Sequence, residues 1–266
     1  MIDVLRQSLS EAATQEEKAY KVREMLQVLM LKIMFDRGAF KHLCFVGGTA
    51  LRILYGLRRY SEDLDFSLVG KTPYSFSEML KKLLSELRHY GFTAEARANQ
   101  KGVVQSGMVK FPDLLEQLGL SRLKEQKLAV KLEVDTNPHQ GGKTLFMPVT
   151  KSFVFAVNTF DLPSLYATKL HACFYRKFIK GRDFYDLVWY LGKRIEPNYL
   201  LLNNAIQQTK KGYRKIETSN FKEFLAEHLS QVDLSAAKKD VERFLEDKKE
   251  LKLLDKKIIL GMVEGS

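Results

Sequence analysis

Apolar positions in the N-terminal segment recur at helical spacing. Leu26, Leu29, Met30 and Ile33 share a face, with Lys21, Arg23 and Lys32 between them, so helix is predicted as far as Gly38. The short apolar run Leu43-Cys44-Phe45-Val46 reads as a buried strand that runs into Gly47-Gly48. Helix resumes at once through Ala50 to Tyr55 and stops near Gly56. From Asp63 to Leu68 polar and apolar residues alternate strictly, which predicts a strand. Ser75 to Tyr90 places Met79, Leu80, Leu83, Leu84 and Leu87 on one helical face. Past Gly91 the best strands are Gly107 to Phe111 and Lys127 to Asp135. Asn137-Pro138 and Gly141-Gly142 mark a loop, and Phe153 to Val157 reads as another strand. From about Leu162 to the end nearly every segment has helical periodicity.

That shift from mixed α and β to all α predicts two domains, 1–160 and 161–266. The 266 residues and 45% hydrophobic content suffice for a sizeable core. The formal net charge of +11 favours a polyanionic partner. Cys44 and Cys173 lack a second cysteine at metal-ligand spacing and sit in apolar runs, so both are expected to be reduced, buried thiols. The early charges of Met1 to Arg6 do not read as a signal peptide, and no apolar stretch is long enough to span a bilayer. A cytoplasmic protein without membrane association is expected.

Strand alternation puts Asp63, Asp65 and Ser67 on one face, leaving Leu64, Phe66 and Leu68 for the core. Two carboxylates so placed repel each other unless a cation lies between them. Mg²⁺ takes one or two carboxylates together with substrate phosphates. By itself the pair also fits a solvated strand face. The preceding strand-Gly47-Gly48-Thr49-helix unit adds a phosphate cradle: glycines admit close backbone approach, and a helix N-terminus favours anions. Thr49 can cap the helix or hold a phosphate oxygen. On Val130 to Asp135 the residues Lys131, Glu133 and Asp135 share a face, offering a third acid as general base for an attacking hydroxyl, or a solvent-exposed edge. Lys169 and Arg176, seven residues apart, fall on one helix face and can grip a triphosphate. Beyond them, Phe184, Leu187, Val188 and Leu191 form an apolar stripe. Asp183 flanks that stripe and Asp186 points away from it, so Asp183 is the acid expected beside Lys169, to orient it or bind the nucleotide.

Phe45-Val46-Gly47-Gly48-Thr49-Ala50-Leu51-Arg52 through Tyr60-Ser61-Glu62-Asp63-Leu64-Asp65-Phe66 resembles the first motif of the AbiEii/AbiGii toxin family. Lys131 to Val134, Leu165 to Ala172 with Arg176, and Arg182-Asp183 followed by Asp186-Leu187 resemble its further motifs. The four span roughly residues 40 to 190 in the family's order. The resemblance implies an α/β nucleotidyltransferase fold, a mixed β-sheet flanked by helices, with a C-terminal helical domain. It implies Gly48 and Thr49 on the triphosphate, Asp63 and Asp65 on Mg²⁺ with two ions possible, Glu133 rather than Asp135 as third acid, and Lys169 and Asp183 from the helical domain as catalytic residues. Many nucleotidyltransferases have serine where this chain has Thr49, which keeps the hydroxyl. The implied substrate is an NTP, the implied acceptor the 3′ end of tRNA, and the implied partner an antitoxin with a winged-helix domain. A protein acceptor, giving NMPylation, and a non-catalytic nucleotide or nucleic-acid binder are the alternatives.

Gly141-Gly142-Lys143-Thr144 lacks full phosphate-loop spacing and reads as a turn. The five histidines form no ligand pattern, and Trp189 reads as packing. Lys210, Lys211, Arg214 and Lys215 are the candidates for holding an RNA acceptor by its phosphates.

Overall fold

The computed structural model describes residues 1–9, 14–70, 73–121, 123, 126–210 and 212–264. The chain divides into two compact units. The first is Met1–Leu54, Tyr60–Pro138 and Phe146–Thr159. The second is Tyr55–Arg59, His139–Leu145 and Phe160–Ser266. The second unit thus takes two short segments from the N-terminal half as well as the helical region.

In chain order the elements are α1 (Ile2–Ser8), α2 (Gln15–Asp36), β1 (Leu43–Val46), α3 (Gly47–Tyr55), β2 (Asp63–Leu68), α4 (Phe76–His89), β3 (Ala98–Asn99), β4 (Val104–Phe111), α5 (Leu114–Gln117), β5 (Leu128–Asp135), β6 (Thr144–Val149) and β7 (Phe155–Phe160). The helices α6 (Leu162–Tyr175), α7 (Gly181–Gly192), α8 (Tyr199–Thr209), α9 (Phe221–Ser230), α10 (Leu234–Val241) and α11 (Lys256–Glu264) follow. The N-terminal segment expected to be helical as far as Gly38 forms two helices, α1 of 7 residues and α2 of 22. α2 begins at a capping box in which the Thr14 hydroxyl accepts from the Glu17 amide at 3.1 Å. It stops before Gly38, whose φ of +70° reverses the chain.

The seven strands form one mixed sheet in the order β3-β4-β5-β2-β1-β7-β6. β2 lies at its centre, antiparallel to β1 and parallel to β5. Its alternation drives Leu64 and Phe66 into a core shared with Leu26 and Leu29 of α2, Phe45 of β1 and Val130 and Leu132 of β5. Burying those side chains removes about 1.5–3 kcal/mol of apolar exposure each. It also fixes which face of β2 carries its acids, because a one-residue slip would turn them inward. β6 falls partly in the region expected to be loop. As an edge strand with Leu145 and Phe146 exposed, it has no buried face to give it a periodic signature.

In the second unit the Asp161 side chain caps α6, with Pro163 in the first turn, and Asn198 caps α8. Tyr166 and Tyr190 stack at 4.3 Å between α6 and α7. At the start of α7, Gly181 packs so closely on the Ala237 backbone that a Cβ there would lie 2.8 Å from the Ala237 carbonyl carbon.

Candidate functional site

In the first unit the expected carboxylate pair stands on β2. Asp63 and Asp65 are both half-buried on the face opposite Leu64 and Phe66. The start of this strand is pinned from two sides. The Thr49 hydroxyl donates to the Asp63 carbonyl, and the fully buried Gln27 donates from Nε2 to the Ser61 carbonyl at 3.1 Å. Thr49 thus has its hydroxyl engaged within the protein. Its side chain is wholly buried, and its hydroxyl binds the carboxylate strand. Gly47 begins α3 at φ +80°, with its Cα turned to Asp65. An added Cβ would lie 3.0 Å from the Asp65 Cβ and strike the carboxylate. The glycine is needed both for its left-handed backbone and for the approach of the helix N-terminus to Asp65.

The parallel register with β5 sets Lys131 opposite Asp63 and Glu133 opposite Asp65. Asp135 falls opposite Ser67, and its carboxylate accepts the Asn137 amide at 2.9 Å, so it closes a turn. Glu133 is thus the third acid nearest the pair. Its carboxylate is turned to Lys131 at 2.7 Å. That hydrogen bond, together with the charges of Glu133, Asp63 and Asp65, raises the Lys131 ammonium above its ordinary range against the effect of burial. The carboxylates of Asp63, Asp65 and Glu133 thus lie close enough to act together on the Lys131 ammonium.

The donor set fits a divalent ion such as Mg²⁺. It offers two hard oxygen ligands on one strand face, with the Lys131 ammonium beside them. Among the described residues no group of three or more His, Cys, Asp or Glu could hold a metal ion.

The second unit holds a different assembly. Lys169 Nζ on α6 lies 2.7 Å from Asp183 Oδ1 and 2.8 Å from Asp186 Oδ2 on α7. Arg59 grips Asp186 with both ends of its fork, at 2.6 and 2.7 Å, and Arg176 reaches Asp183 at 2.8 Å. Asp186 does not point away from the packed face as expected. It is fully buried, because α7 is enclosed on nearly every side and not along a single stripe. Arg176 lies one residue past the end of α6, in extended backbone, and not on the same helical face as Lys169. Burial pushes the Asp183 carboxyl up, but Lys169 and Arg176 outweigh it and hold it below its usual value. Burial would likewise strip the proton from Lys169, yet Asp183 and Asp186 keep the ammonium charged well above its ordinary range. Three cations against two carboxylates leave one positive charge over. Arg176, with 40% of its side chain exposed, is the cluster's open edge.

Sequence reasoning singled out neither Arg59 nor Gln27, and it set Asp186 aside in favour of Asp183. The only signal for Arg59 is the charged pair Arg58-Arg59 just ahead of the acidic strand, which reads as surface. Both cysteines are free and buried, as expected. Of the RNA-binding candidates, Lys210, Arg214 and Lys215 are exposed, with Arg214 paired to Glu223 at 2.7 Å and Lys215 to Glu217 at 3.0 Å. Lys211 lies outside the described residues. Among the described residues no helix is long and apolar enough to cross a membrane.

Solved structures similar to this chain have been found, and the first of them shares the fold of its mixed sheet and flanking helices. A candidate nucleotidyltransferase from H. pylori is 18% identical, with 91% of this chain and 94% of that chain covered and a TM-score of 0.51. The JHP933 protein of Helicobacter pylori shows the same identity and coverage at a TM-score of 0.45. The chain belongs to the AbiEii family, the nucleotidyl transferase toxins of type IV toxin–antitoxin systems, whose family model matches residues 29–256. Membership carries an NTP substrate and an antitoxin partner. No curated protein matches the chain.

Proposed function

We propose that the chain transfers a nucleoside monophosphate from an NTP to the 3′-terminal hydroxyl of an RNA acceptor, tRNA being the acceptor that would block translation. The observation that carries this reading is the placement of Asp63 and Asp65 on one strand face, with Gly47 backing onto Asp65 and Glu133 in register beside it. Asp63 and Asp65 would hold the divalent ion, which when bound supplies charge neutralisation and alignment at the reacting phosphoryl group. Backbone amides at Gly47 and Gly48 cradle phosphate at the helix N-terminus. Glu133 takes the proton of the acceptor hydroxyl as its oxygen bonds to the α-phosphorus. The bond from that phosphorus to pyrophosphate breaks, and pyrophosphate leaves with its electron pair. Lys131 holds Glu133 in place and limits repulsion from the neighbouring acids. In the second unit Asp183 fixes the positive charge of Lys169, and Arg176 offers a fork for phosphate at that cluster's exposed edge. The antitoxin is assigned a winged-helix domain and the protein a cytoplasmic site of action.

Incubation with each labelled NTP, total cellular RNA and total protein, beside the Asp65→Ala variant, tests the reading. Label on RNA that disappears with Asp65→Ala is expected. Label on protein makes the chain an NMPylating enzyme, and no label on either makes it a nucleotide or nucleic-acid binder.

A further inference from the structure

The second unit contains a cleft of about 190 Å³ that the transfer chemistry does not use. It is bounded by the end of α6, the segment after α8, and α9. Its wall is aromatic. Tyr175 and His228 lie 5.8 Å apart, and Phe224 packs on His228 at 4.3 Å. The rings are held rigidly. Tyr175 stacks on His171 at 5.4 Å with planes 8° apart, the Tyr213 hydroxyl donates to the Asn203 carbonyl at 2.9 Å, and His228 Nδ1 donates to the Phe224 carbonyl at 2.9 Å. Tyr175, Tyr213 and His228 nevertheless remain partly exposed to the cleft. Lys210 and Arg214 stand on its rim.

We propose that this cleft holds an unpaired nucleotide of an RNA strand, the base against the aromatic wall and the flanking phosphates on Lys210 and Arg214. Pre-ordered aromatic faces beside exposed cations are the recognition surface of single strands, whose bases stack freely while their phosphates need positive charge. The carboxylates in the same cleft narrow the choice. Glu227 lies close enough to Tyr175 to raise its hydroxyl pKa, after burial, and Glu223 holds Arg214. Acids so placed work against a free phosphate ion but accept the N–H groups of a base edge. The Arg214–Glu223 pair is exposed on both sides, so a phosphate can replace the carboxylate at little cost. The proposal rests on the RNA-acceptor reading and adds where the acceptor strand is gripped.

The test is fluorescence anisotropy of a labelled single-stranded RNA octamer with the full chain in the absence of NTP. Wild type is compared with Tyr175→Leu and with the Lys210→Ala/Arg214→Ala double variant over a salt series. Tyr175→Leu is expected to weaken binding at least five-fold without changing the salt slope. The double variant should lower the slope of log K against log salt by roughly 1.4, at about 0.7 per phosphate contact on a single strand. Because Lys210 and Arg214 are exposed, the double variant keeps the test decisive if Tyr175→Leu fails to fold. Unchanged affinity in both variants, equal affinity for a duplex of the same sequence, or no binding by wild type overturns the cleft assignment. Label on protein in the NTP experiment overturns the acceptor reading separately, whatever the octamer does.

Discussion

Asp63 and Asp65 stand half-exposed on a strand, held in place by backbone register and by two side chains that grip the strand's carbonyls. Asp183 and Asp186 are buried in a helix, held by the charges of Arg59, Lys169 and Arg176. The first pair takes its support from the main chain, and its carboxylates keep partial access to solvent, as the proposed exchangeable cation would require. The second pair already has its cations built in. Removing one member leaves the others buried and uncompensated, which costs several kcal/mol, whereas an exposed acid can be neutralised with little penalty. Function and folding are thus separable in the first unit and fused in the second.

The largest effect expected is on activity at the first pair. Asp65→Asn should lower nucleotidyl transfer on the order of 10³-fold, the loss of several kcal/mol of charge stabilisation, while shifting stability by less than about 1 kcal/mol. Labelled-NTP transfer measured beside urea unfolding checks both halves, and a matching loss of stability would erase the contrast. In the second unit Asp186→Ala should destabilise by about 3–5 kcal/mol, because Arg59 and Lys169 are left buried without a partner. Combining it with Arg59→Met should cost less than the two changes summed, and simple additivity would mean the cluster is not one unit.

Gly47→Ala sharpens the contrast from the other side. A left-handed backbone position should cost about 1–2 kcal/mol, and the Cβ displaces the Asp65 carboxylate, so transfer should fall further than stability predicts. The smallest effect is in pH dependence. Burial, with the charges of His139 and Arg176, lowers His171 from 6.5 to about 4. Between those values the unfolded chain binds a proton that the folded one refuses, so stability rises with pH across that window. The gain is on the order of 1–2 kcal/mol after discounting for the imidazole's partial exposure. His171→Gln should flatten that slope in urea titrations from pH 7 to pH 5. The lowered Asp183 works at more acid pH. Its contribution is fully present above the ordinary carboxylate value and is lost as pH falls through the folded one.

The same contrast explains what was legible beforehand. β1, β2 and β5 follow from alternation and apolar runs, which are local, and the shared face of Asp63 and Asp65 follows from β2 alone. Family motifs supplied Lys169 and Asp183. The bond between Arg59 and Asp186 joins residues 127 positions apart, and no local pattern marks it. Asp186 was misplaced because a single apolar stripe was assumed for a helix that is buried almost all round. The bond from Thr49 to the Asp63 carbonyl was not legible, because a hydroxyl at a helix N-terminus faces either a ligand or the neighbouring strand, and only the packing of α3 on β2 decides which. β6 was missed because an exposed edge leaves no hydrophobic period.

The parallel pairing of β2 with β5 also sets a clock. Asp63 and Asp65 leave the ribosome early, but Lys131 and Glu133 come some 70 residues later, and β7, which flanks β1, later still. A parallel neighbour so distant cannot pair until the intervening chain has emerged and closed its loop. A nascent or truncated chain that ends before β5 therefore carries Asp63 and Asp65 without the strand that completes their surroundings. The two aspartates and Glu133 therefore come together only once most of the first unit has been made.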